Sequence, residues 1–295
     1  MEKYEVRLFN SKNVSGFAFF LMITVYVFIS LIGQLLAFAI FGQGSAYLAI
    51  CSTFSSASMG IVLVYLSFKN KEKLVTSVNI APCRIKYLFL AVTIAIGMLF
   101  GLGFINDAFV KLFSMIGINI EGVSIPLNTP LHFIVFSIVL ALLPAFFEEC
   151  FFRGFMFGKL SAVKTWCAII TVSLCFALYH KSLAQFFYQM IYGIILCLLF
   201  KSANSVIPCV LAHFLNNFAV ICFEYFKIQI NFYSPIVIIK GLLLLGFSVF
   251  VLLKDIKQDK SEKEKNLSIK WFYFPFGLFG CTICLLFLVS NLFGV

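Results

Sequence analysis

Two adjacent carboxylates, an arginine, two histidines and an asparagine stand inside otherwise apolar stretches of this chain. They fall as Glu148-Glu149-x-x-x-Arg153, Phe176-x-x-x-His180 and His213-x-x-x-Asn217. Carboxylates and imidazoles move protons, and imidazole and amide N–H groups stabilise a developing oxyanion. Residues four apart share a helix face, so Glu149 is placed to pair with Arg153, whereas Glu148 points about 100° away with no partner at that spacing. One carboxylate is then held ionised and the other is left to exchange protons, which suits a general base. His213 and Asn217 also share a face and imply a polar cavity or a partner across the helix interface. Each motif has a plainer reading: an ion-paired helix, an interfacial histidine, polar glue between helices. Their joint presence in a chain with only three histidines is what marks a site.

The elements that must hold these residues are membrane helices. Of 295 residues, 62% are hydrophobic and 12% charged, against about a quarter charged in soluble domains. Continuous apolar runs exclude a soluble enzyme and, lacking alternation, a membrane β-barrel. The expected fold is all-α, a polytopic bundle of eight to nine spans: 16–41, 47–68, 87–106, 131–160, 165–180, 183–200, 205–226, 234–253 and 271–293. The first is too long for a cleaved secretory signal and reads as a true span. Residues 74–86 read as an interfacial helix, 107–130 as a loop, and 254–270 as a charged, solvated linker that leaves the last span loosely tied. The chain divides into 1–130, a core 131–226, and 227–295.

The net charge of +10 sits in the loops, which excludes a nucleic-acid face and points to contact with membrane lipids. With the N-terminus inside, seventeen Lys and Arg fall in inside segments and three, Lys111, Lys181 and Lys227, outside. That bias predicts a cytoplasmic N-terminus in a multi-pass protein, and the Phe-, Ile- and Lys-rich composition points to a bacterial cell membrane. The ten cysteines lie mostly in apolar runs, as small apolar residues. Glu224, beside Lys227, and Lys240, early in its span, are read as interfacial and snorkelling.

Depth can be reckoned from spacing. Glu148 and His180 are 32 residues apart about a polar turn near Lys164, so both stand about 24 Å up the arms of one hairpin. His213 lies only about ten residues beyond the turn at 201–205, which puts it roughly 10 Å nearer the inside face.

The three motifs resemble those of the CAAX-protease and bacteriocin-processing (Abi) family: EExxxR, FxxxH and HxxxN, in order, over residues 131–226. The resemblance implies a glutamic intramembrane endopeptidase. Glu148 with His180 would activate water, His213 and Asn217 would hold the oxyanion, and Glu149 and Arg153 would orient the site. No cofactor is required in that scheme. The alternative is zinc on Glu148, His180 and His213, although Asn217 is a poor zinc ligand and a good oxyanion donor. The implied partner is a peptide or membrane-protein substrate, with prenylated substrates less favoured. Rival readings are a non-catalytic immunity or scaffold protein of the same fold and an ion-coupled transporter.

Overall fold

The computed structural model describes residues 13–118, 125–257 and 267–293. Lys3, Arg7, Lys12, Gly122 and the centre of the charged linker, residues 258–266, lie outside the described residues. Among the described residues the regular elements are helices, α1 Val14–Phe41, α2 Ser45–Lys69, α3 Ile85–Met115, α4 Pro130–Phe157, α5 Thr165–Tyr179, α6 Leu183–Ala203, α7 Ile207–Tyr225, α8 Pro235–Lys257 and α9 (270–293), plus a single turn at Leu74–Ser77. Helices close their own backbone hydrogen bonds, which hydrocarbon surroundings demand. Seven are long and apolar enough to span a membrane, and α5 and the Pro275–Ser290 part of α9 are shorter. The nine expected spans are therefore seven by length plus two short apolar helices. Exposed apolar side chains such as Phe28, Leu35, Phe89 and Phe250 cover the outside of the bundle.

Three expectations need correction. Residues 107–115 are helical and not loop, because α3 continues past Gly103 and is held by Phe109 stacked on Phe187 of α6 at 4.5 Å. The expected interfacial helix 74–86 is one turn at Leu74–Ser77, which Asn79, with φ of 54°, and Pro82 stop, and α3 begins at Ile85. The segment instead tucks under the bundle, with Asn79 bonded to Asn204 and the Ala81 carbonyl accepting from Ser205. Finally, α9 is not a loose appendage. Phe19 of α1 fills the place where a Cβ of Gly280 would sit, Phe17 meets Phe276 edge-on at 5.1 Å, and Cys281 and Cys284 are buried.

The lysine-rich loops gather at one end. Lys159 pairs with Glu72 at 2.7 Å, Lys86 with Asp255 at 2.8 Å, and the Leu267 N–H donates to the Ala162 carbonyl at 3.1 Å. Glu224 pairs with Lys227 at the other end, 2.9 Å apart and exposed, and Lys240 is exposed on α8.

Helices α3 and α8 touch backbone to backbone. A Cβ on Gly241 would lie 2.2 Å from the Gly101 nitrogen, and one on Gly97 2.9 Å from the Leu245 nitrogen. Small residues let helices approach where no hydrophobic drive brings them together, and Thr93 to Ser248, 2.8 Å apart, adds a polar link. Gly241→Leu is expected to destabilise the protein by at least the roughly 1–3 kcal/mol of ordinary overpacking. Thermal unfolding in detergent should show a lowered midpoint, while Gly246→Leu, where a Cβ meets nothing within 4 Å, should leave it in place.

Candidate active site

Helix α4 is not uniform. It runs as α-helix from Pro130, widens into a π-helical stretch at Ser137–Leu142, returns to α-helix over Leu143–Glu149, and widens again over Cys150–Phe157. Glu148 and Glu149 end the α-helical piece between the two wide segments. Such widened turns recur at functional sites, where they re-aim side chains. Gly154, inside the second, lets the chain below it approach: a Cβ there would sit 2.3 Å from the Val78 carbonyl oxygen.

Arg153 Nη1 donates to Glu149 Oε1 at 2.7 Å, and both side chains are fully buried. The guanidinium lies over the Phe176 ring at 4.2 Å and reaches the Gly193 carbonyl at 3.5 Å. The expected pairing of Glu149 with Arg153 is what the structure contains. His213 joins the same carboxylate, its Nδ1 standing 2.8 Å from Glu149 Oε1. An arginine-paired carboxylate only accepts, so Nδ1 carries the proton and donates it there. In a neutral His213, Nε2 then holds the lone pair, and donation from Nε2 requires both ring nitrogens to carry protons.

Glu148 takes no part in this cluster. Its Oε2 is buried without a hydrogen-bond partner and stands 3.9 Å from His180 Nε2. His180 Nδ1 lies 2.8 Å from the Phe176 carbonyl, which can only accept. The proton therefore sits on Nδ1, and the Nε2 facing Glu148 is an acceptor. His180 reaches this depth because α5 has 15 residues and ends there, about 22 Å from its start. The chain then turns through Lys181 at φ of 51°. Lys181 donates to the Tyr26 hydroxyl and lies over that ring at 3.8 Å.

His213 is the one residue whose reckoned depth was wrong. The turn before α7 is not at the bundle's rim: the Val206 N–H donates to the Asn79 carbonyl and Ser205 to Ala81, drawing the start of α7 inward. The wide turns of Cys150–Phe157 also climb less per residue, so Glu149 sits lower than even spacing implies. Asn217, four residues past His213, is not drawn into the carboxylate cluster. Its Nδ2 donates to the Leu140 carbonyl at 3.3 Å, in the first π-helical stretch.

The motif reading overlooked an aromatic and amide frame. Phe176 meets His180 edge-on at 4.6 Å and His213 at 6.0 Å, so one ring braces the arginine and both imidazoles. Tyr188 donates to Asn216 Oδ1 at 2.7 Å, and Tyr192 lies 5.9 Å from His213. Tyrosines four apart in an apolar span, followed by Gly193, were the available signal. Zinc on Glu148, His180 and His213 does not fit this arrangement. Among the described residues no three His, Cys, Asp or Glu side chains are grouped to hold a metal ion.

Residues 130–219 match the family model described as Type II CAAX prenyl endopeptidase Rce1-like. No curated protein and no solved structure matches the chain.

The two glutamates should part in their effect on stability. Glu149→Gln leaves the Arg153 charge buried and uncompensated, and is expected to cost about 3–5 kcal/mol. Glu148→Gln removes no pairing of that kind. Thermal unfolding in detergent should drop sharply for the first and stay near wild type for the second; equal midpoints would mean that Glu149 does not neutralise Arg153.

Proposed function

Taking residues 130–219 as the Rce1-like CAAX endopeptidase domain that they match, we propose that this multi-pass membrane protein is a glutamic intramembrane endopeptidase acting on a peptide or membrane-protein substrate. The observation that carries the proposal is the facing pair Glu148 Oε2 and His180 Nε2, 3.9 Å apart. Both atoms are acceptors, and the gap is too long for a direct hydrogen bond. A water donating one hydrogen to each would have its lone pair free to attack. Glu148 takes the proton as the oxygen–carbon bond forms, then passes it to the leaving nitrogen as the carbon–nitrogen bond breaks, giving a carboxylic acid, which keeps the water's second proton, and an amine.

The tetrahedral intermediate carries its negative charge on the former carbonyl oxygen. A His213 protonated on both nitrogens would donate from Nε2 to the oxyanion, whose charge balances it, and Asn217 would donate from the N–H that does not serve Leu140. Glu149 and Arg153 then have two tasks: they neutralise each other and hold the His213 ring in place. The catalytic unit is residues 131–226, and the flanking spans 1–130 and 227–295 enclose it. The basic end faces the cytoplasm, since seventeen of the loop cations are assigned to it and three to the other end.

Purified wild type, Glu148→Gln and His180→Ala should be assayed for peptide cleavage in detergent, with and without excess chelator. Cleavage is expected to survive the chelator and to fall by at least the 10²–10⁴-fold of lost general base catalysis in Glu148→Gln. Cleavage unaffected by both substitutions would remove the pair from the mechanism and favour a non-catalytic scaffold or transporter. Loss with chelator and recovery with zinc would overturn the metal-free reading.

A further inference from the structure

Asn217 also lines a cavity of about 340 Å³ whose other residues the catalytic scheme does not use. It opens between the ends of α3, α6 and α7 farthest from the basic loops, under Phe232 of the α7–α8 connection. Its amide and carboxylate lining is Asn106, Asp107, Gln185, Gln189, Asn216 and Asn217, and Tyr188 adds a hydroxyl that donates to Asn216. None of its lining residues is a lysine, arginine or histidine.

Among the lining residues, the buried side-chain atoms without a partner are both acceptors. Asn106 Oδ1 and Gln189 Oε1 are buried and accept no hydrogen bond. Asp107 is exposed and, as a carboxylate, only accepts. Its neighbour one turn on, Lys111, is directed over the Tyr233 ring at 4.3 Å and does not line the cavity. Buried acceptors without donors are costly, and a ligand that brings donors relieves them. An isoprenoid chain would do the opposite, covering six polar side chains without pairing any.

We propose that this cavity is a substrate subsite for a cationic side chain, lysine or arginine, close to the scissile bond. The inference rests on the protease reading for its place next to Asn217, but the cavity's chemistry stands independently of it. The ammonium or guanidinium would donate to Asn106 Oδ1 and Gln189 Oε1 and meet the Asp107 charge. The substrate class is thus a peptide with a basic residue at one defined position.

The test uses the full-length protein in detergent and twin decapeptide libraries. One fixed position is lysine or its uncharged isostere norleucine, and the remaining positions are randomised among uncharged residues. Binding is read by fluorescence polarisation on the Glu148→Gln protein, and cleavage by mass spectrometry on wild type. The lysine library is expected to bind at least tenfold tighter, with the ratio falling towards one in the double substitutions that add Asp107→Asn or Gln189→Leu. Unchanged thermal midpoints will show that those variants still fold. Cleavage products should carry lysine at one fixed distance from the cut. Equal binding of the two libraries overturns the subsite whether or not either is cleaved. Preferential binding of lysine with no cleavage supports the subsite and counts against the protease reading. A preference that persists in both cavity variants places the cation elsewhere and overturns the assignment.

Discussion

A buried guanidinium organises this protein. Arg153 is fully enclosed, in a bundle whose surroundings offer no water to stabilise a charge, and it persists only because Glu149 neutralises it. The same carboxylate oxygen also receives His213, so one ion pair on α4 determines the register of α7 against it. Phe176 of α5 closes the other side, with its ring on the guanidinium and its carbonyl on His180. Three helices are thereby indexed to one charge. The remaining carboxylate, Glu148, is left unpaired, and it is the group best placed to handle a proton.

Depth in the membrane is the second constraint, and departures from regular helix set it. The α5 helix is too short to cross, so His180 ends inside the bundle and not at its rim. The wide turns on either side of Glu148 and Glu149 shift where α4 presents its side chains, and the tucked connection before α7 draws His213 inward. Close packing elsewhere supports these irregular pieces. The glycine contacts of α3 with α8, and of α9 with α1, build a rigid frame from ordinary helices around the unusual ones. Thr93 with Ser248 and Tyr188 with Asn216 tie polar groups in pairs inside this frame, in keeping with the high cost of leaving them unmatched.

Much was legible in the sequence because the membrane imposes simple rules. Length and hydropathy located every long helix, since a span must be apolar and about twenty residues long. Three polar motifs stood out because ionisable residues at such depth are rare. The i, i+4 spacing alone identified Glu149 as the partner of Arg153 and Glu148 as the odd one out. The hairpin count brought Glu148 and His180 to one level, since both arms climb from the same turn.

What the tertiary structure decided concerns contacts with no local signature. That His213 answers to Glu149 and not to Glu148 depends on two helices meeting at a chosen height, and spacing within either one is silent on that. Phe176 as a brace for three charged or polar groups, Tyr188 behind Asn216, and the cavity of amides beside Asn217 all arise from side chains far apart in the chain. The continuation of α3 beyond Asn106 is similar: Asp107 reads as the start of a loop until Phe109 finds Phe187. Periodicity and polarity settle which residues must avoid lipid. Which polar groups then meet is settled by helix tilt, packing and length, because each interior donor or acceptor must find its match across the bundle.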